Sequence, residues 1–195
     1  GIAGSYGRAV GEFADSVKHG GGPGFYLLWR PGGGVLGIRT DWTWIIYGSQ
    51  TRSYSLLPGI DVDVRTDNSI LSGILGPQLT FGSRLLPLRA YVHGGLGFSV
   101  FDTSSHVSGS ESLGSFANTS NFDDVTLAGQ VGGGLLIRLG RAVALDLGAR
   151  FLNNGEVTFV TRSGVSVVGS TLVVDPRTSG GNLIVYHAGV SIRVW

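Results

Sequence analysis

The stretch from Leu88 to Phe101 reads LRAYVHGGLGFSVF and alternates with a period of two over fourteen residues. One parity is apolar or small, and the other carries arginine, tyrosine, histidine, serine and glycine. Strands of soluble sheets average about 5 or 6 residues. A tilted strand that crosses a bilayer needs about 9 to 11, with one face toward lipid and the other toward a lumen. The stretch therefore predicts a transmembrane strand, and repeats of the pattern would close into a barrel.

The composition of the 195-residue chain agrees with a membrane-embedded sheet. Charged residues make up 14% of the chain, against about 25% in an average soluble domain. The net charge of +1 offers no basic patch for nucleic acid, and the absence of cysteine excludes disulfides and thiolate metal sites. No apolar run reaches the roughly 18 residues of a transmembrane helix. Because the chain starts at Gly1 and lacks methionine, we expect that a secretion signal has been removed.

The same alternation recurs along the chain and predicts about eight strands. We expect an all-β fold, a single closed antiparallel up-and-down β-barrel of transmembrane type, over residues 23–195. Two long polar loops, 102–124 and 153–181, interrupt the pattern, and the second contains an apparent hairpin. The predicted strands span 24–31, 35–47, 54–66, 70–81, 88–101, 125–139, 143–151 and 182–195, with turns at 48–53 and 66–69.

Residues 1–22 do not alternate. Val10, Phe13, Ala14 and Val17 have the spacing of one helical face, and the glycines at 20–22 would end such a helix. We expect either an N-terminal tail or a short helix that packs on or inside the barrel.

Four phrases carry a resemblance to a known class of proteins. They are LGPQLTFG, RAYVHGGLGFSVF, ALDLGARF and the ending HAGVSIRVW. With the strand pattern, they resemble the small eight-stranded outer-membrane β-barrels of the OmpA-like and OmpX-like superfamily of Gram-negative bacteria. The resemblance implies a location in the bacterial outer membrane, partners in outer-membrane lipid and the barrel-insertion machinery, and a structural or surface-interaction role without catalysis. Chains of this class usually end on an outward aromatic residue, whereas Trp195 shares the parity of Arg193.

An eight-stranded barrel is narrow enough for its own side chains to fill it. Buried charges must be paired, so the inward parity predicts a lumen plugged by ion pairs and hydrogen bonds. A second reading is a narrow anion-selective pore lined by the excess of arginine. The predicted lumen charge network comprises Arg30, Arg39, Asp41, Asp61, Asp63, Arg65, Arg89, His93, Arg138, Asp146, Arg150 and Arg193.

Four aromatic residues on the outward parity fit membrane interfaces, where amphipathic rings collect. They are Trp29, Trp42, Trp44 and Tyr186.

Other functions remain open at this stage. The outward apolar face could pack on neighbouring chains of a self-assembling envelope or filament subunit, with loops 102–124 and 153–181 as sites of self-association or of a protein partner. A soluble lipocalin-like barrel would turn the apolar face inward.

A lipid-modifying barrel is a further alternative, since enzymes of similar architecture use a histidine with serine or an acid near the outer rim. Its candidates here are His106 with Ser104, Ser105 and Glu111, but no spacing orients a base against a nucleophile. The four histidines lack paired ligand spacing, so we expect neither a metal nor a cofactor.

Overall fold

A computed structural model describes the backbone of residues 1–57, 60–82, 86–109, 115–168 and 171–193, and the side chains there except at 16, 49–67, 103–109, 115–123, 157–168 and 171–179. No helix within these ranges is long and apolar enough to cross a membrane. The elements of the described ranges, apart from a 3₁₀ turn at Pro31–Gly33, are β1 (Ile2–Ala9), α1 (Phe13–Ser16), β2 (His19–Trp29), β3 (Leu36–Leu57), β4 (Ile60–Phe81), β5 (Leu88–Gly109), β6 (Ser115–Arg138), β7 (Val143–Asn154), β8 (Glu156–Val168), β9 (Thr171–Gly180) and β10 (Leu183–Ile192).

Eight of these strands form a closed antiparallel barrel in the order β1-β10-β7-β6-β5-β4-β3-β2, and β8 and β9 form a separate hairpin. The pairing register gives the stagger of the barrel. A path that starts at Leu88 and steps to the paired residue on each neighbouring strand comes back to β5 at Phe98, ten residues further on. A stagger of ten over eight strands tilts the strands by about 40° from the barrel axis. Each residue therefore advances about 2.5 Å along the axis. The predicted fold class is confirmed.

The two ends of the barrel differ. At the lower end, the connections 30–35, 82–87 and 139–142 are short. The last barrel strand, β10, also ends there. At the upper end, β3 to β6 run for 22 to 24 residues. β2 pairs with β3 only up to Ile46, and β7 pairs with β6 only from Ala128. Above these points β3 to β6 continue as a four-stranded extension of the barrel wall.

The N-terminal region corrects the expected boundary at residue 23. Ile2–Ala9, placed in a tail by the sequence pattern, is a barrel strand between β10 and β2. β2 starts at His19, so the expected glycine stop at 20–22 lies within a strand. The pattern was hidden because Gly4 and Arg8 occupy outward positions. The helix of this region is the single turn α1.

The long hairpins correct three other boundaries. β3 continues through the predicted turn at 48–53, with a register shift between Ile46 and Gly48, and β4 continues through the predicted turn at 66–69. Residues 102–109 and 115–124, expected as a polar loop, extend β5 and β6. Main-chain pairing does not require apolar side chains, so strands persist where the alternation ends. The count of eight survives because the missed β1 offsets the strand predicted at 54–66, which belongs to β3 and β4.

Candidate functional site

The outer wall of the barrel is apolar on every strand. The chain folds this way because outward positions repeat every second residue, and the exposed side chains on them are large and hydrophobic. One representative per barrel strand, each more than a third exposed, is Ile2, Leu27, Ile38, Leu75, Leu96, Val131, Leu147 and Val190. We call this continuous surface the apolar belt. A soluble monomer does not expose a contiguous apolar surface of this extent.

Aromatic side chains bound the belt at two levels. Trp29 pairs with Ile38, and Trp44 lies six residues higher on β3, so the two indoles are about 18 Å apart along the barrel axis. Tyr186 and Tyr6 pair with each other near the upper level, with ring centroids 6.4 Å apart. This arrangement, an apolar band between two aromatic levels, is that of membrane barrels, although the separation is shorter than their roughly 25 Å.

The lower half of the lumen holds a polar network centred on Asp41. Arg39 Nε donates to both Asp41 carboxylate oxygens at 2.9 Å, and its Nη1 donates to Gln78 Oε1 at 2.9 Å. Gln130 Nε2 donates to Asp41 Oδ2 at 2.8 Å, and Arg150 Nη1 lies 3.7 Å from Asp41 Oδ1. All five side chains are buried, so one carboxylate compensates two guanidinium groups in a space shielded from water.

The Arg39 guanidinium is also clamped between two rings. Its Cζ lies 3.7 Å from the centroid of Tyr26 and 5.4 Å from that of Tyr91. Tyr91 in turn donates to Asp146 Oδ1 at 2.7 Å, and its hydroxyl lies 2.9 Å from His187 Nε2. A cation over an aromatic face gains electrostatic attraction that grows when water is excluded. The two carboxylates and two arginines therefore form one layer across the barrel, which we call the polar layer.

Glycines on the inward parity make room for these side chains. A Cβ on Gly148 would lie 2.5 Å from His187 Cε1, and a Cβ on Gly134 would lie 2.6 Å from the Tyr91 hydroxyl oxygen. Such distances are too short for non-bonded atoms, so the large side chains occupy the space that these glycines leave empty. A residual cavity beside Asp41 measures about 10 Å³, room for a single water molecule.

The upper half of the lumen is filled mainly by apolar side chains, unlike the polar lower half. Phe13 of α1 is fully buried and packs edge-on against Tyr47 and Phe101, at centroid distances of 5.6 and 6.2 Å. Val17, the extended residue that caps α1, donates its N–H to the carbonyl oxygen of Phe13 and is buried with it. We call this cluster the upper plug: Ala9, Phe13, Val17, Ile45, Ile70, Ile74, Phe101, Ala128, Leu152, Leu183 and Val185.

The predicted charge network is brought together only in part. Arg39, Asp41, His93, Asp146 and Arg150 are buried in the polar layer, where His93 Nδ1 is 3.8 Å from Asp41 Oδ2. Four other predicted members lie lower: Arg30 and Arg89 are half-buried at the rim, and Arg138 and Arg193 are exposed there. The side chains of Asp61, Asp63 and Arg65 lie outside the described residues.

Among the described side chains that are fully buried in the lumen, two arginines face two aspartates, Arg39 and Arg150 with Asp41 and Asp146.

Of the predicted interface aromatics, Trp29, Trp44 and Tyr186 are about half or more exposed at the two levels. Trp42 lies two residues below Trp44 on β3 and is half-buried, because its ring stacks on Phe25 at 6.2 Å and meets Phe98 edge-on at 6.0 Å. Of the loop candidates for catalysis, the side chains of His106, Ser104 and Ser105 and the whole of Glu111 lie outside the described residues, as does Trp195.

No protein-family model and no curated protein matches the chain. Solved structures do. The attachment invasion locus protein Ail of Yersinia pestis, in complex with the heparin analogue sucrose octasulfate, is 13% identical, with a TM-score of 0.50 over 98% of this chain and 94% of that one. Neisserial surface protein A, NspA, gives the same identity, coverage and TM-score. The chain has the fold of the small eight-stranded outer-membrane barrels. At this identity the likeness establishes the architecture alone.

Within this outer-membrane barrel fold, sequence reasoning missed the upper plug as a unit and the role of β1. A signal for the plug was present: Trp44-Ile45-Ile46 and Val100-Phe101 are apolar on both parities at the upper ends of their strands. Continuous apolar runs mark strands buried on both faces, which in a barrel means a filled lumen. β1 carried no such signal, because its inward residues Ala3, Ser5 and Gly7 are small.

Proposed function

We propose that the chain spans a bacterial outer membrane as a closed barrel, with its lower end in the periplasm, and presents the extension of β3 to β6 and the hairpin β8–β9 to a partner outside the cell. The apolar belt with its two aromatic levels is the observation that carries the proposal. A self-assembling subunit would need apolar surface only where neighbours touch, whereas this belt covers all eight barrel strands.

The lumen supports a structural role over a pore. The upper plug and the polar layer close the barrel in series, one by apolar packing and the other by paired charges. A solute would have to displace both.

The upper part of the chain favours a partner with positive charge. Its described segments carry ten acidic and six basic residues. The acidic residues are Glu12, Asp15, Asp61, Asp63, Asp67, Asp102, Asp123, Asp124, Glu156 and Asp175, and the basic ones are Arg8, Lys18, Arg52, Arg65, Arg162 and Arg177. Ail binds a sulfated polyanion. An excess of acidic residues disfavours such a ligand, so we do not carry that property over to this chain.

The test of the membrane assignment places a charge in the belt. Leu27 is 66% exposed near the middle of the belt. If Leu27 faces lipid, Leu27→Arg lowers the free energy of unfolding in phospholipid vesicles by about 2 to 4 kcal/mol. The control is Ala142→Arg, at an exposed position in the β6–β7 turn, where the change stays within about 0.5 kcal/mol.

Equal, small losses in the two variants would mean that Leu27 faces water or protein, and the membrane assignment would fail. Electrophoresis in SDS supplies a second measure: the unboiled barrel runs faster than the boiled chain. Recovery of the protein as an ordered polymer without detergent would favour the self-assembling subunit.

The test of the surface uses two charged supports. Folded protein in detergent is passed over immobilised polylysine and immobilised heparin at about 0.15 M salt, where screening acts beyond about 8 Å. We expect retention on polylysine. The exposed Arg138 and Arg193 at the lower rim can hold heparin in detergent, so heparin serves as the reference for binding at that end. Failure to bind polylysine would overturn the assignment of a cationic partner.

A further inference from the structure

The hairpin β8–β9 joins the barrel wall through a hydrogen-bonded junction. Asn154, the last residue of β7, is 2% exposed. Its main-chain N–H donates to Asn182 Oδ1 at 3.0 Å, and its Nδ2 donates to the carbonyl oxygen of Gly181 at 2.5 Å. The Gly155 N–H donates to the carbonyl oxygen of Leu127 at 3.2 Å. We call Asn154, Gly155, Gly181 and Asn182 the hairpin junction, because they tie both ends of the hairpin to the wall.

Asn154 and Gly155 form the only Asn-Gly pair in the chain. In such a pair the main-chain nitrogen of glycine attacks the side-chain amide carbon of asparagine, because glycine has no side chain to hinder the approach. A C–N bond forms, ammonia leaves, and the product is a five-membered succinimide. Water then opens the ring at one carbonyl or the other, which leaves aspartate or isoaspartate at position 154.

The folded barrel opposes each part of this reaction. The attacking nitrogen is that of Gly155, whose N–H is engaged by the carbonyl oxygen of Leu127. The leaving group is Nδ2 of Asn154, which is held by Gly181. Ring closure also brings the glycine nitrogen against the asparagine side chain, whereas in an extended strand the side chain stands away from the backbone of the next residue. Deamidation therefore requires the hairpin junction to open.

We propose that Asn154 is a deamidation site, protected in the folded barrel and reactive in a chain that stays unfolded. The product does not rebuild the hairpin junction. Aspartate at position 154 lacks the N–H that reaches the Gly181 carbonyl oxygen, and it places a carboxylate against that oxygen in a buried space, where an unpaired charge is costly. Isoaspartate adds a carbon atom to the main chain and so displaces the pairing of residue 154 with Ala128. The reaction thus limits the time for which an unfolded chain can still form a complete barrel.

The first test compares two states of the unmodified sequence. The chain is incubated folded in detergent micelles and unfolded in concentrated urea, at the same pH and temperature. It is then digested, and the peptide that contains Asn154 is analysed by mass spectrometry. We expect modification to be at least about tenfold slower in the folded sample, because reaction there requires local opening. Asn182 is the internal reference, since the bulky Leu183 follows it, and it should stay unmodified in both samples.

The second test measures the effect of the product on the hairpin junction. Asn154→Asp is compared with Asn153→Asp, a matched control at an exposed position of the same strand. Hydrogen exchange is followed at the Gly155 N–H in barrels that show the compact band in SDS. We expect exchange to become at least about tenfold faster in Asn154→Asp and to stay within about twofold of wild type in the control.

Each outcome decides one part of the proposal. Equal rates of modification in the folded and unfolded samples overturn the protection, and an unfolded chain that stays unmodified at Asn154 overturns the site itself. Equal exchange in the two variants overturns the effect on the hairpin junction. If Asn153→Asp gives the compact band and Asn154→Asp does not, the carboxylate prevents folding, which supports the proposed consequence of the modification.

Discussion

Replacing Asp41 with asparagine tests whether the polar layer is held by charge compensation. The substitution keeps the volume of the side chain but removes the negative charge that lies 2.7 Å from Arg39 Nη2 and 3.7 Å from Arg150 Nη1. Both guanidinium groups stay buried, at 2% and 6% exposure, so they cannot recover the lost interaction from water. Removing one partner of a buried ion pair costs about 3 to 5 kcal/mol.

The assay is unfolding by urea in detergent micelles, followed by intrinsic tryptophan fluorescence and by mobility in SDS. With a urea dependence of about 2 kcal/mol per M, the midpoint of Asp41→Asn falls by about 1.5 to 2.5 M. Asp15→Asn, an exposed acid next to the plug, stays within about 0.5 kcal/mol of wild type.

A double-mutant cycle separates charge from shape. Arg39→Met in the Asp41→Asn background removes the nearer of the two cations that Asp41 compensates and leaves an apolar chain between Tyr26 and Tyr91. Since an apolar replacement of a buried pair is often neutral, we expect the second change to restore about 2 kcal/mol. The reasoning is refuted if Asp41→Asn matches Asp15→Asn, or if the losses of the two lumen substitutions simply add.

Two further substitutions test the filling of the lumen. Gly148→Ala places a Cβ 2.5 Å from the His187 ring and should lower the free energy of unfolding by about 1 to 3 kcal/mol through overpacking. Gly140→Ala, where nothing lies within 4 Å of the added Cβ, should be neutral in the same urea assay. Equal midpoints would mean that the polar layer is loosely packed. Phe13→Ala empties the centre of the upper plug and should cost about 3 to 5 kcal/mol, with a smaller loss for the half-exposed Phe81→Ala. Because the polar layer remains, the Phe13 variant should still show no conductance steps in planar bilayers, and the appearance of steps would show that the plug alone seals the barrel.

The sequence predicted the barrel where lipid and lumen impose opposite demands on alternate residues. From Leu88 to Phe101 each position has one environment, so its parity can be read directly. The alternation does not predict a strand where that contrast is absent. In β1, outward Gly4 and Arg8 and inward Ala3, Ser5 and Gly7 leave no alternation, and only pairing with β10 and β2 identifies the strand.

Residues typical of turns led to a wrong prediction in the upper hairpins, again because the apolar alternation is absent there. Asp67 and Asn68 are typical turn residues, yet they pair with Ser49 and Gly48 in the middle of a hairpin. Beyond the apolar belt both faces of the extension can be polar, so the pattern of side chains there does not predict which residues pair between strands.

The lumen network was predictable in type and only partly in membership. Inward parity identified Arg39, Asp41, Asp146 and Arg150, but parity cannot tell the middle of a barrel from its rim. Arg138 and Arg193 share that parity and lie at the end of the wall, where long side chains reach water. The height of a residue depends on the stagger of the whole barrel, which no single strand contains.

The inward glycines make the stability of this barrel sensitive to substitutions that add atoms. At Gly22, Gly76 and Gly97 a Cβ would overlap a main-chain carbonyl oxygen of the adjacent strand, so these positions keep neighbouring strands in contact as the wall bends. In an alanine scan, the largest losses at such sites would come from adding an atom. The features that fix the circumference of this wall are therefore places where the chain has no side chain to remove.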